Sequence, residues 1–224
     1  MAAGDDNTSI AHAALASLYQ TYWYPLYAYV RRHGRSVDES RDIVQDFFVS
    51  LLDRRNFIGL DRERGRFRAF LLGSLKHFLA NDFARRQTLK RGGGANTVPL
   101  LLDGAEERYA REPPDPVTPE TLYERRWALT VIEQVLGGLR EEWRRQNREP
   151  VFDALRECLL GMSPPGGYAE TAARLGMSEG AVKTAVHRLR RRFQAELHRL
   201  VSETVSDPGD VDAEIRDLIR ALDA

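Results

Sequence analysis

Residues 168–193 read YAETAARLGMSEGAVKTAVHRLRRRF. Ala172 and Ala173 carry small side chains, which let a short first helix approach a second one closely. Gly176 can take the left-handed conformation that ends a helix. Ser178 offers a hydroxyl to cap the next one. Beyond it Val182, Val186, Leu189 and Phe193 recur at spacings of four, three and four, which predicts one apolar side. Lys183, Thr184, His187, Arg188 and Arg191 fall on the opposite side. Two helices about a sharp turn, the second apolar inward and donor-rich outward, meet the needs of a helix that reads the major groove. Lysine and arginine reach guanine acceptors or phosphates, and threonine does either. The arginines further along are expected on phosphates, which supply affinity without sequence information.

Four arginines crowd residues 188–192 in a chain whose 33 basic and 33 acidic residues cancel. A neutral chain is not a general polycation, so any nucleic-acid surface must come from segregated charge. The 224 residues are 42% hydrophobic, enough for one large domain or two small ones. The single cysteine, Cys158, excludes an internal disulfide, fits a reducing compartment and reads as a buried structural thiol. No apolar run approaches the roughly 20 residues of a membrane span. The opening MAAGDDNTSI lacks the basic start and apolar stretch of a signal peptide, so the expectation is a cytoplasmic protein.

Helical periodicity runs through the rest of the chain, with no convincing alternating strand. A first block spans about 11–32, where Pro25 is expected to bend or interrupt the helix. In the next, Ile43, Val44, Phe47, Phe48, Leu51 and Leu52 form one wide apolar stripe, with Asp42, Gln45, Asp46 and Asp53 opposite. A third block, about 66–90, pairs an apolar face with Lys76, Arg85 and Arg86. Gly92, Gly93 and Gly94 end it. Residues 95–118, with four prolines, read as a flexible linker. Thr118 before Pro119 starts a long amphipathic helix through Trp143. The expected organisation is therefore all-α, with two small helical domains. They are 1–94 and 119–203, the second containing a helix-turn-helix, followed by an acidic helical tail, 204–224, with seven acids and two arginines from Glu203 onward.

These motifs resemble a known family. YAETAARLGMSEGAVKTAVHRLRRRF is similar to region 4 of bacterial sigma-70-type RNA polymerase sigma factors, especially the small two-domain extracytoplasmic-function group. DIVQDFFVSLL resembles the region 2 helix that docks on the polymerase clamp helices, and FRAFLLGSLKHFLANDFARR resembles the segment that captures and opens the −10 element. The order and the intervening link match, over roughly two thirds of the chain. The resemblance implies a dissociable subunit rather than an enzyme. Asp42, Gln45 and Asp46 would meet core polymerase. Lys76, Arg85 and Arg86 would meet the non-template strand, with Phe57 available beside a flipped base. Ser178, Lys183, Thr184, His187, Arg188 and Arg191 would meet the −35 element. It implies no cofactor, no metal, no small-molecule substrate and no membrane insertion, and leaves room for an anti-sigma factor. Thr171 stands where the family has an aliphatic residue.

Other function classes leave different signatures. A stand-alone helix-turn-helix regulator would use the N-terminal block as a sensing domain and dispense with polymerase. An enzyme would need a constellation the sequence lacks. The five histidines show no ligand spacing with one another or with Cys158, and no GxxxxGK loop is present. The tail has two expected fates. It packs its apolar stripe, Val211, Ile215, Leu218, Ile219 and Leu222, on the C-terminal module, or it masks the basic reading helix.

Overall fold

The computed structural model describes residues 3–53, 66–88, 104–111 and 117–223, with side chains at 18–51, 66–81, 104–111, 117–159 and 161–223. Among the described residues every regular element is helical. The helices are α1 (Ala3–Arg32), α2 (Val37–Asp53), α3 (Phe67–Thr88), α4 (Ala105–Ala110), α5 (Pro119–Arg145), α6 (Glu149–Leu155), α7 (Gly167–Leu175), α8 (Glu179–Ser202) and α9 (Val211–Asp223). A 3-10 helix, Arg156–Leu160, follows α6. No helix among the described residues is long and apolar enough to cross a membrane.

The chain forms two compact units. One is Met1–Thr130 together with Thr204–Ala224, and the other is Val131–Glu203. The division falls inside α5, not at the proline-rich link.

In the first unit α1 packs on α2 and α3. Tyr22, Tyr24, Leu26, Tyr27, Tyr29 and Val30 are all buried, so this stretch of α1 is enclosed around its circumference. The helix is not interrupted at Pro25, although the proline removes one backbone donor. Burial on every side holds the segment helical. On α2, Ile43, Val44 and Phe47 face the core as their spacing requires, and Phe47 meets Phe78 of α3 edge-on, centroids 5.7 Å apart.

Part of the expected linker is built into this unit. In α4, Ala105 is buried, and Glu106 accepts hydrogen bonds from Tyr27 at 2.6 Å and from Arg31 at 2.8 and 3.1 Å. Thr118 caps α5 as its position before Pro119 predicts, its hydroxyl accepting from the Thr121 N–H at 3.1 Å.

The tail packs within this first unit and not on the C-terminal module. Its buried face is also rotated from the expected stripe. Val211, Glu214, Leu218 and Ala221 point inward, while Ile219 is 52% exposed. On this inward face Glu214 lies against Arg66 and Arg68 at the start of α3, partners that the apolar spacing of the tail does not reveal.

The second unit takes its core from the far half of α5 (Val131, Val135, Leu139, Trp143), from Phe152, Leu155 and Cys158, and from Val182, Val186 and Leu189 of α8. The line Val131, Val135, Leu139, Trp143 repeats every four residues, which keeps it on one helical face. Helix α8 packs on α7 and on the 3-10 helix.

Candidate nucleic-acid interface

Helix α7 ends at Gly176, whose φ of 63° and ψ of 31° place it in the left-handed region that a side chain disfavours. The N–H groups of Gly176 and Met177 return to the carbonyls of Ala173 and Ala172, at 3.3 and 2.9 Å. This closes the C-terminus of the short helix. Ser178 then caps α8, its hydroxyl accepting from the Ala181 N–H at 3.2 Å. A three-residue turn thus joins α7 to α8. Of the two alanines, only Ala172 lies in the close approach; Ala173 is exposed. Thr171 is fully buried, and its hydroxyl donates to the Pro165 carbonyl at 3.3 Å. That bond removes the cost of an unsatisfied polar group there.

Helix α8 separates its faces as the spacing predicts. Val182, Val186 and Leu189 are buried and Phe193 is half-buried, while Lys183, Thr184, His187, Arg188 and Arg191 are all exposed. Lys183 pairs with Glu179 one turn back at 2.7 Å and stands 5.4 Å from the Tyr168 ring centre. The pairing with Glu179 raises the Lys183 pKa further, so it is cationic at neutral pH. The Thr184 hydroxyl donates to the Gly180 carbonyl at 2.9 Å and keeps its lone pairs outward.

The four-arginine run divides in two, which the sequence did not reveal. Arg190 is directed into the unit, where its Nε and Nη2 both donate to the Cys158 carbonyl, at 2.9 and 2.8 Å. Arg192 pairs with Glu142 of α5 at 2.7 Å. Arg188 and Arg191 remain on the open face. Cys158 itself is fully buried, and burial pushes its thiol above the usual range, which keeps it protonated and inert.

In the first unit, Lys76 is exposed but already paired with Glu120 of α5 at 2.7 Å. Arg85 and Arg86 lie on α3 beyond the residues whose side chains are described, and Phe57 also lies outside the described residues. On α2, Asp42 and Asp46 are exposed beside Val49, an apolar residue left open to solvent. Gln45 does not share that face. It is 8% exposed, because its position borders the apolar stripe and the helix rolls it inward.

A second cluster at the start of α3 was not legible as a site. The Arg66 Nε lies 2.9 Å from one Glu214 oxygen, and the Arg68 Nε lies 2.8 Å from the other. Asp217 pairs with both arginines, and Glu124 of α5 pairs with Arg68. The Arg68 guanidinium stacks over Trp127, 4.4 Å from the ring centre. Arg66 and Arg68 look like ordinary solvated cations in sequence, since no local pattern announces carboxylates that are far along the chain. Among the described residues, no group of three or more histidine, cysteine or acidic side chains is placed to hold a metal ion.

No family model, no curated protein and no solved structure matches the chain.

Proposed function

We propose that the chain is a sigma-type subunit that binds core RNA polymerase and directs it to promoters. The observation that carries the reading is the outward face of α8. Lys183, Thr184, His187, Arg188 and Arg191 are presented together on a helix whose other side is fixed in a core. The same helix begins at a capped turn after a short helix, the arrangement of a helix-turn-helix. In this role the face reads the −35 element, with Arg188 and Arg191 on phosphates or guanine edges. The resemblance of residues 42–52 and 67–86 to region 2 supplies the second half of the proposal. Asp42 and Asp46, with exposed Val49 on the same side of α2, offer a small acidic and apolar surface to the polymerase clamp helices. The proposed location is the cytoplasm, where polymerase and promoter DNA are found.

Run-off transcription with purified core polymerase on a library of genomic fragments tests the reading. Initiation at a set of sites sharing spaced −35 and −10 elements is the expected result. A chain that binds duplex DNA but never associates with core polymerase is a stand-alone regulator instead. One that does neither ends the proposal.

A further inference from the structure

We infer that Arg66 and Arg68 form a binding site for the phosphate backbone of a single nucleic-acid strand, which α9 occupies in cis with Glu214 and Asp217. The inference rests on the sigma-type reading and adds a site and a means of closing it. Two guanidinium groups stand side by side at the entry to α3, and three carboxylates converge on them, Glu124, Glu214 and Asp217. Carboxylate oxygens on an arginine fork reproduce the contacts of a phosphate oxygen pair. Further along α3, Lys76 is matched in the same way by Glu120. All four carboxylates come from α5 and α9, segments remote in sequence from α3.

The energetics favour a removable cover over a structural rivet. Glu214 is 1% exposed and Arg68 is 6% exposed, so both charges have lost their water. The Coulomb attraction of a buried pair roughly repays that desolvation and leaves little net stability. Burial in fact pushes the carboxyls of Glu214 and Glu124 above the usual range, against the pull of Arg68 and Arg66. Asp217 also pairs with Arg220 of its own helix at 2.9 Å, so it has a partner left when it parts from Arg66 and Arg68. A nucleic-acid strand meets the same arginines with its phosphates still partly hydrated. What holds α9 down is then its inward apolar set, Val211, Leu218 and Ala221. A helix of 13 residues has little stability of its own in water once that contact is lost.

The test compares the full chain with its Glu214→Gln/Asp217→Asn double variant, which keeps Glu124 on Arg68 and the apolar face of α9. The probe is a fluorescein-labelled single strand of about 20 nucleotides, read by anisotropy across a salt series. The double variant should bind roughly tenfold tighter, with a salt slope steeper by about 1.4, two phosphates at about 0.7 each. Adding Arg66→Gln should remove about half of the added slope. Asp217→Asn alone, at the less buried carboxylate, should show a smaller gain, and it decides the matter if circular dichroism shows the double variant unfolded. Unchanged or weaker affinity in the folded variant overturns the inference. Core-polymerase association and duplex binding through α8 are measured in parallel. If they persist while single-strand affinity does not rise, the cover alone is wrong. If they too are absent, the sigma-type reading falls with it.

Discussion

Arg190 grips the backbone of Cys158, donating from Nε at 2.9 Å and from Nη2 at 2.8 Å to a single carbonyl oxygen. The contact ties α8 to the 3-10 helix across 32 residues. An arginine in the middle of a basic run is thus a structural part, while Arg188 and Arg191 beside it stay on the open face.

Replacing Arg190 by Gln should therefore behave unlike replacing Arg188 or Arg191 by Ala. Loss of a charge-assisted bond to a partly buried carbonyl costs about 1.5–3 kcal/mol. The second unit should unfold at lower urea in R190Q. R188A and R191A should leave the urea midpoint unchanged while each shallows the salt dependence of duplex binding by about 0.9. Equal stability in all three variants would show that the Cys158 contact contributes nothing.

Ser178 separates capping from recognition. S178A should lower stability by about 1 kcal/mol, because the Ala181 N–H loses its acceptor. S178D should retain the cap and the stability, since aspartate accepts as well as serine and suits a helix N-terminus. Its charge should nonetheless weaken duplex binding. Chemical denaturation and anisotropy on the same preparations separate the two effects, and tighter binding in S178D would remove Ser178 from the interface.

On α2 the two kinds of polar residue should part company. D42K should leave the melting temperature unchanged and weaken association with core polymerase, measured by co-sedimentation. Q45E places a charge at a buried position and should destabilise the first unit by about 2 kcal/mol or more. Normal stability in Q45E would mean that Gln45 reaches solvent after all.

The pH dependence of stability should carry the mark of Glu106. Its bond from Arg31, helped by Tyr27, holds the carboxyl below its usual value of 4.5. A carboxyl lowered on folding contributes stability that is complete above about 4.5 and is lost as the pH falls through the folded value. E106Q should therefore flatten the acid limb of a plot of melting temperature against pH. Glu214 has the opposite sign. Its carboxyl is raised by burial, so its contribution improves as the pH falls through the window above 4.5, and E214Q removes that gain. Identical acid limbs for E106Q and the parent chain would count against the Arg31 contact.

Helix positions and most inward faces were legible because they depend on neighbours three and four residues away. Ile43, Val44 and Phe47 on α2, and Val182, Val186 and Leu189 on α8, are buried as their spacing predicts. So were the turn at Gly176 and the caps at Ser178 and Thr118, where one residue type has a local backbone reason to be present. The exposed basic face of α8 followed from the same periodicity. Gln45 and Ile219 were misread because both occupy the margin of a stripe, where a small rotation of the helix decides between water and core.

The sequence alone determined that this chain is helical, where most helices begin and end, and which side of α8 turns outward, since each depends on local spacing and capping. Only the tertiary structure decided which charges remain available. It turned Arg190 inward, gave Arg68 to Asp217 across 149 residues, and seated α9 in the first unit. The physical reason is that the cost of burying a charge depends on what approaches it through space, and no window along the chain contains both partners.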